Sequence, residues 1–193
     1  MGSDPVELAR RMRIFASKGV GIWAFLVLTG CTVHRDYPES WAPVTSPTTQ
    51  DCSHFAGTYG DRGESPVSTN RPSLTLTLFG PSSGWRRATR VSFSLPRTEL
   101  LEVTVWEGTS RLFSRVLSSW AGHFICKAGR LIVGNERLVS ATGGAQIEKV
   151  TITFGTTDNY LVAQVKDIGM GATDVVPVAG PVRSWLRFPR LHN

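Results

Sequence analysis

The chain has 193 residues, with 21 basic and 15 acidic side chains that give a formal net charge of +6 at pH 7. This length is enough for one domain with an ordinary hydrophobic core. The charge surplus is modest and its only cluster is Arg86, Arg87 and Arg90, so the sequence does not indicate a nucleic-acid-binding surface. We interpret the cluster as a solvated basic loop, with attraction to anionic lipid or polysaccharide as the alternative.

The N-terminal segment has the layout of an export signal. A basic segment, residues 1–18, precedes residues 19–28, which carry no charge. As a helix this apolar run is only about 15 Å long, half of the roughly 30 Å hydrocarbon core, so it is too short for a permanent membrane span. The pattern predicts a signal peptide, residues 1–30, that is removed from the mature protein. Its removal leaves a net charge of +4, since it contains four basic and two acidic residues.

Leu28, Thr29, Gly30 and Cys31 follow this run and resemble the lipobox of bacterial lipoproteins, in which an aliphatic and two small residues precede an obligatory cysteine. The resemblance implies cleavage between Gly30 and Cys31, a diacylglycerol on the Cys31 sulfur, and acylation of the new amino group, for example with palmitate. Two or three acyl chains make a lasting membrane anchor. The alternatives are a secretory signal with an incidental thiol, a retained N-terminal helix, and a twin-arginine signal at Arg10-Arg11.

The residue after the lipobox cysteine bears on the destination. In many Gram-negative lipoproteins an Asp at this position retains the protein in the inner membrane, whereas this chain has Thr32. The resemblance therefore implies a lipid anchor in the bacterial outer membrane, on its periplasmic face.

Residues 31–50 contain three prolines among Ser and Thr and lack an apolar period, which predicts a disordered tether after the lipidated cysteine. A polyproline-like chain of the nineteen residues from Thr32 to Gln50 reaches at most about 59 Å, so the following domain is able to stand off the membrane. Tyr37 and Trp41 lie within this segment. Two interpretations stay open for them, packing on the domain or contact with the lipid interface.

From residue 51 onward, apolar side chains recur at every second position, the spacing of one face of a β-strand. The clearest runs are Leu74–Leu78, Val91–Leu95 and Leu101–Val105. Two hairpins are also predicted: His123–Cys126 with Leu131–Val133, and Val150–Phe154 with Tyr160–Lys166 around the Gly155–Asn159 turn. The other assignments are a closing strand at Arg183–Phe188, loops at Glu136–Glu148 and Asp167–Gly180, and a helix or strand at Ser110–Trp120.

Half-polar alternation is typical of antiparallel sheets that have one face on a core. We therefore predict that residues 51–193 form an all-β globular domain, an antiparallel meander of about eight to ten strands that makes a small barrel or a two-sheet sandwich. No segment of this region shows a convincing helical stripe.

Three segments of the same region carry a second resemblance. The Cys52–Tyr59 opening, the hairpin that contains Cys126, and Trp185–Phe188 together resemble small β-rich proteobacterial lipoproteins to which no reaction is assigned. Phe55–Tyr59 also resembles the Gly-x-Trp start of lipocalins, with Tyr59 in place of the Trp. Both resemblances suggest topology rather than function.

Cys52 and Cys126 are the two cysteines that remain once Cys31 is lipidated. An even pair in an oxidising compartment predicts a disulfide, which closes a loop of roughly 75 residues. The alternatives are two buried thiols, or a tetrahedral zinc site in which His54 and His123 join the two cysteines.

The chain lacks the sequence signatures of common catalytic and phosphate-binding sites, so we expect no enzyme activity and no cofactor. A glycosidase-type pair of carboxylates is left open by the scattered acidic residues. Asp61, Glu64, Glu102 and Glu107 are interpreted as exposed charges of loops and strand ends.

These observations favour a membrane-anchored envelope lipoprotein that acts by binding an apolar or envelope-derived ligand, or a partner protein. The alternatives are a structural envelope module without a small ligand, and a hydrolase of envelope polymers. A cavity lined by inward Leu, Val and Phe would favour the first, a filled core with an exposed aromatic patch the second, and two carboxylates about 5 to 9 Å apart in a cleft the third.

Overall fold

The computed structural model describes residues 36–45, 51–141, 144–168, 170–173, 176–179 and 182–192. All of them belong to one compact unit, Thr32–Asn193. The predicted signal peptide, its Leu28, Thr29 and Gly30, and the predicted lipidation site Cys31 lie outside the described residues.

Eleven strands and one α-helix make up the described chain, with short 3-10 helices at Ser53–Phe55 and Ser83–Arg87. The α-helix is α1 (Leu74–Phe79). The strands are β1 (Gly57–Gly60), β2 (Arg90–Arg97), β3 (Leu100–Glu107), β4 (Ser110–Ser118), β5 (Phe124–Lys127), β6 (Arg130–Ala141), β7 (Gly144–Thr156), β8 (Tyr160–Ile168), β9 (Met170–Thr173), β10 (Val176–Ala179) and β11 (Val182–Leu191).

Nine strands form one antiparallel sheet in the order β4-β3-β2-β1-β11-β8-β7-β6-β5, and β9 pairs with β10 in a separate two-stranded sheet. β1 to β4 form one meander and β5 to β8 form another, and β11 lies between them, paired with β1 and with β8. The predicted all-β antiparallel class is therefore confirmed. The sheet is not closed into a barrel, however, and the strand predicted to close the domain lies at its centre.

The two halves of the sheet face each other across the core. Phe93 of β2 and Phe154 of β7 are separated by three strands in the sheet, yet their rings make an edge-to-face contact with centroids 5.9 Å apart. Alternate side chains of β3 and β7 are fully buried, as the period of two predicts: Leu101, Val103 and Val105, and Val150, Ile152 and Phe154. Each such side chain contributes about 1.5 to 3 kcal/mol by leaving water, so the curled sheet encloses its own core.

The predicted disulfide between Cys52 and Cys126 is present, with the two Cα atoms 5.8 Å apart. It joins the start of the domain to β5 across a sequence separation of 74 residues. The cross-link therefore fixes the N-terminal end of the domain to one edge of the sheet.

The run Leu74–Leu78 was predicted as a strand, and this prediction is wrong, because the segment is α1. Ser73 caps the helix by accepting a hydrogen bond from Leu76 N–H at 3.2 Å, and Gly80 ends it at φ 78°. Leu74 and Leu78 are buried on one side of the helix while Leu76 is 38% exposed. Over a single helical turn an alternating pattern also fits positions i and i+4, which is why the spacing misleads.

Two predicted loops are also wrong. Within Glu136–Glu148 the β6–β7 ladder continues without interruption as far as the pair Ala141 and Gly144, so the segment is the end of a long hairpin. Within Asp167–Gly180 the chain forms β9 and β10. Gly144 and Gly171 are paired within strands here, so a glycine in the sequence does not by itself end a strand. Ser110–Trp120, left open between helix and strand, contains β4.

Residues 36–45, the described part of the predicted tether, lie against the sheet. Tyr37 makes edge-to-face contacts with Trp41 and with Trp185 of β11, at centroid distances of 6.1 and 5.0 Å. The Arg187 guanidinium lies 4.7 Å from the Trp41 ring centre and 4.6 Å from that of Tyr160. We call these five residues the aromatic clasp. Of the two interpretations left open for Tyr37 and Trp41, the structure shows packing on the domain.

Further contacts hold the aromatic clasp in place. Arg187 Nε donates a 2.8 Å hydrogen bond to Glu64 Oε2. The backbone N–H of Thr45 donates to the Thr156 carbonyl at 2.9 Å, which adds an isolated bridge to β7. Burial raises the pKa of the Tyr37 phenol, against a lowering effect of the Arg187 charge. Ring contacts and backbone pairing thus hold the segment, and the ion pair with Glu64 fixes the Arg187 side chain that covers Trp41.

Candidate functional site

β4 and β5 are the two ends of the nine-stranded sheet, and residues 119–123 connect them. His123 N–H donates to the Ser118 carbonyl at 3.1 Å, and Ser118 N–H donates to His123 Nδ1 at 3.2 Å. Beyond this pair of hydrogen bonds β4 and β5 form no ladder, so the sheet has an open seam here. Gly134 N–H of β6 donates to the His123 carbonyl at 3.4 Å, which holds the connection against the second half of the sheet.

A cavity of about 480 Å³ lies at this seam, and we call it the seam cleft. Its apolar lining comes from three elements: Leu78 and Phe79 of α1, Leu117 of β4, and Val133 of β6. Leu78, Leu117 and Val133 are almost completely buried. The helix that the sequence did not predict therefore forms one wall of the cavity, and inward positions of the two sheet halves form the others.

Phe79 is held in this wall by an aromatic cluster. Its ring makes an edge-to-face contact with Phe113 of β4 at 5.3 Å and lies 6.1 Å from Trp85. Trp85 and Phe113 are 5.1 Å apart. Three mutually packed rings lose little further freedom when a ligand binds, so this wall is preorganised.

Basic side chains line the rest of the seam cleft: Arg115 of β4, His123 of the connection, and Lys149 of β7. Arg115 and Lys149 are exposed, and among the described residues neither has an ion-pair partner. The β6–β7 register places Glu136 opposite Lys149. Because His123 Nδ1 accepts the hydrogen bond from Ser118, the neutral imidazole carries its proton on Nε2 and has a donor to offer.

A second cavity, of about 270 Å³, lies beside the aromatic clasp. Tyr37, Trp41, Tyr160 and Arg187 line it, together with Asp158 and other residues of the β7–β8 turn. The Arg187 guanidinium already covers the Trp41 and Tyr160 rings, so these aromatic surfaces serve the attachment of residues 36–45. The seam cleft is the larger cavity and has unused donors.

The residues considered for zinc are not brought together as a metal site. The sulfurs of Cys52 and Cys126 are bonded to each other in the disulfide, and the His54 ring packs at a tilt against Phe55 with centroids 4.1 Å apart. Over the described part of the chain, no three His, Cys, Asp or Glu side chains are grouped as metal ligands. His123 instead belongs to the seam cleft.

Asp61 was interpreted as an exposed charge, and this interpretation is wrong, because the side chain is fully buried. Its Oδ1 accepts hydrogen bonds from Ser73 Oγ at 3.0 Å and from Thr75 N–H at 2.9 Å. Arg62 Nε lies 3.6 Å from its Oδ2. The carboxylate therefore organises the start of α1 and stands away from the lining of the seam cleft.

The other three carboxylates are at or near the surface. Glu64 and Glu107 have side chains 49% and 38% exposed and pair with Arg187 and Arg87 respectively. Glu102 accepts a 2.8 Å hydrogen bond from Ser114 Oγ. Each is thus accounted for by a surface or cross-strand contact.

Sequence reasoning missed the basic residues of the cleft, Arg115 and Lys149. The signal that could have found Arg115 is its position two residues before Leu117, which puts the two side chains on the same face of a strand. The open assignment of Ser110–Trp120 concealed it. No signal in the local sequence places Lys149 beside it.

No protein-family model, curated protein or solved structure that was compared with this chain matches it. Within the described ranges, no helix has both the length and the apolar character needed to cross a membrane.

Proposed function

We propose that this chain is a membrane-anchored envelope lipoprotein of non-catalytic type that binds an envelope-derived amphiphile, an apolar chain with an anionic group, in the seam cleft. The observation that carries the proposal is the combination of an apolar floor and a basic rim in one cavity. At about 480 Å³, the cavity falls within the range of roughly 300 to 1,000 Å³ that is usual for small-molecule sites.

The chemistry of the lining defines the ligand. An acyl chain or similar apolar group matches Leu78, Phe79 and Val133. These side chains have no hydrogen-bonding groups, so the ligand leaves none unsatisfied when it displaces water. A carboxylate or phosphate matches Arg115, whose guanidinium offers two parallel donors, together with the ammonium of Lys149. His123 Nε2–H supplies a further donor on the connection between the strands.

The architecture supports the same proposal. We infer that the two facing halves of the open sheet act as the layers of a sandwich, joined through β11 and parted at the β4–β5 seam. The contact between Phe93 and Phe154 supports facing layers. An apolar chain that enters at the seam reaches the space between the layers without breaking a strand pair.

Native mass spectrometry tests the ligand. The full chain, purified from the membranes of its host in a mild detergent, is expected to carry an adduct with the mass of an anionic amphiphile. Arg115→Glu is expected to reduce the adduct at least tenfold, because it places a like charge beside the anionic group. Arg111→Glu is the matched control, since Arg111 is an exposed residue of the same strand and does not line the cleft.

Loss of the adduct in both variants, or in neither, would contradict the assignment of the ligand to the seam cleft. The absence of any adduct from the wild-type chain would favour the structural envelope module instead.

The anchor is tested separately. The motif of Leu28, Thr29, Gly30 and Cys31 supports lipidation of Cys31, so labelled palmitate is expected to enter the wild-type protein and not Cys31→Ser. The variant should also lose its membrane fractionation, since two or three acyl chains provide the lasting attachment. Equal labelling or unchanged fractionation of the two proteins would refute the anchor.

A further inference from the structure

The connection between β4 and β5 carries a large exposed aromatic residue. Trp120 is 75% exposed in the residue 119–123 connection, and Val116 and Ile125 on the flanking strands are each 55% exposed. We call these three residues the β4–β5 corner. Single exposed apolar residues are ordinary on protein surfaces, but three of them at one end of a sheet require an explanation.

The backbone brings the three residues of the β4–β5 corner to one place. Val116 neighbours the buried Leu117 in β4, and Ile125 neighbours the buried Phe124 in β5. Because successive side chains of a strand point to opposite faces, Val116 and Ile125 both project away from the core. The paired hydrogen bonds between Ser118 and His123 hold the two strand ends side by side, with Trp120 at the tip between them.

The charges around the β4–β5 corner are mostly basic. Arg97, Arg115 and Lys127 are exposed near it. Two acidic residues also lie beside it: Glu99, whose carbonyl accepts a hydrogen bond from Ser119 N–H at 3.0 Å, and Glu102, which the β3–β4 register places opposite Val116. With three basic and two acidic residues, the corner combines apolar side chains with a small net positive charge, which is complementary to an anionic lipid surface.

We propose that the β4–β5 corner contacts an anionic lipid leaflet, with the Trp120 ring in the interfacial region. The indole is suited to this position because it has an apolar body and one N–H donor. A flat bilayer also accepts a ring that stands out at the tip of a turn, whereas a protein partner would need a matching concave pocket.

The same contact serves the seam cleft. Ala121, Gly122 and His123 follow Trp120 directly and line the cleft, so insertion of Trp120 brings the opening of the cleft to the leaflet. An amphiphile then passes between bilayer and cleft without crossing water. This use of the contact rests on the proposed function, whereas the contact with lipid does not.

Quenching of tryptophan fluorescence tests the contact. The full chain is reconstituted into vesicles of phosphatidylglycerol and brominated phosphatidylcholine, because bromine atoms quench nearby indoles. Trp120→Phe is expected to lower the bromine-dependent quenching at least twofold relative to wild type. Trp106→Phe is the matched control. Leu100 at the start of β3 pairs with Ser118, whereas Trp106 lies near the opposite end of β3, away from the β4–β5 corner. All variants share one N-terminal segment, so their differences report the substituted ring.

Equal quenching in Trp120→Phe and wild type, or a Trp120 signal independent of phosphatidylglycerol content, overturns the proposal. A change in Trp120 emission that follows protein concentration instead of lipid identifies a self-association surface and overturns it as well. The amphiphile adduct of the previous section is measured in parallel. An adduct that depends on Arg115, without quenching of Trp120, supports the proposed function and refutes the lipid contact. Quenching of Trp120 without such an adduct supports the lipid contact and refutes the proposed function.

Discussion

Asp61 shows how a single buried residue specifies local structure. The segment after β1 has to turn back before α1, and the Asp61 carboxylate receives the Ser73 hydroxyl and the Thr75 N–H as it does so. Asp61 also uses its backbone, because its carbonyl accepts from Leu74 N–H at 2.8 Å. A short helix without strong intrinsic propensity is therefore held at its first turn by a tertiary contact.

Replacing Asp61 with Ala is expected to lower the free energy of unfolding by about 1 to 3 kcal/mol or more, because two buried donors lose their acceptor. Chemical denaturation monitored by circular dichroism provides the measurement. Glu107→Ala is the control, since its pairing with Arg87 at 3.5 Å is at the surface and such pairs contribute about 0 to 1 kcal/mol. Similar losses in the two variants would refute the structural role of Asp61.

His54 makes the stability of the domain depend on pH. Burial lowers the pKa of its imidazole below the usual value, although the Gly129 backbone and the Asp51 charge act in the opposite direction. The neutral ring is therefore favoured in the folded state. As pH falls through about 6.5, the unfolded chain takes up the proton first. Stability that is present above this pH is lost below it.

We expect the unfolding free energy to decrease between about pH 7 and pH 5, and His54→Gln to make this decrease smaller because the titrating group is gone. Denaturant titrations at several pH values measure it. His192→Gln, at an exposed position after β11, should leave the pH dependence as in the wild type. Equal slopes for His54→Gln and wild type would show that His54 is not the group responsible.

At the scale of the element, local spacing predicts strands well where the chain alternates over several residues. β2, β3 and β7 coincide with alternating runs because one face of each is buried in the core. α1 does not follow this rule, since Leu74 and Leu78 share a face over one helical turn and the cap from Ser73 decides between helix and strand. The contact of Asp61 with this turn lies outside any local window.

The aromatic clasp is an element that composition conceals. Residues 31–50 have the Pro-, Ser- and Thr-rich composition of a linker, yet Tyr37 and Trp41 find partners on β11 that are more than a hundred positions away in sequence. The composition shows that the segment lacks an apolar period, but it does not predict that two aromatic rings pack on the domain.

Arg187→Ala is expected to loosen residues 36–45, because the cation–π contact with Trp41, of about 0.5 to 1 kcal/mol, is lost. Chymotrypsin should then cleave after Trp41 about two- to fivefold faster in the folded protein. Arg111→Ala, an exposed residue outside the clasp, provides the control. An unchanged cleavage rate in Arg187→Ala would mean that the guanidinium does not hold this segment.

At the scale of the whole molecule, the class of the fold follows from the sequence but the site does not. Alternating polarity predicts an antiparallel sheet, and the cysteine count predicts the bond between Cys52 and Cys126. The seam cleft instead gathers side chains of α1, β4, β6 and β7, which meet because the sheet curls and stops before closure. Neither the curvature nor the position of the seam is a property of a local window.

Deletion of residues 181–193 is expected to abolish cooperative unfolding, because it removes the one strand that pairs with both meanders. Deletion of residues 192–193 alone, which follow β11, should preserve the thermal transition. Thermal melts followed by circular dichroism and gel filtration of the two truncated chains make the comparison. A cooperative transition in the longer deletion would show that the meanders hold together without β11.

The central place of β11 has a consequence for biosynthesis. The strands emerge from the ribosome in numerical order, so β1 and β8 each wait with an unpaired edge until β11 arrives between them. The pairing of Tyr59 with Arg190 spans about 130 residues of chain, a contact that forms slowly. Until then, both edges are open to pairing with another nascent copy. We therefore expect assistance from a holding chaperone to matter most in the interval before the final strand is delivered.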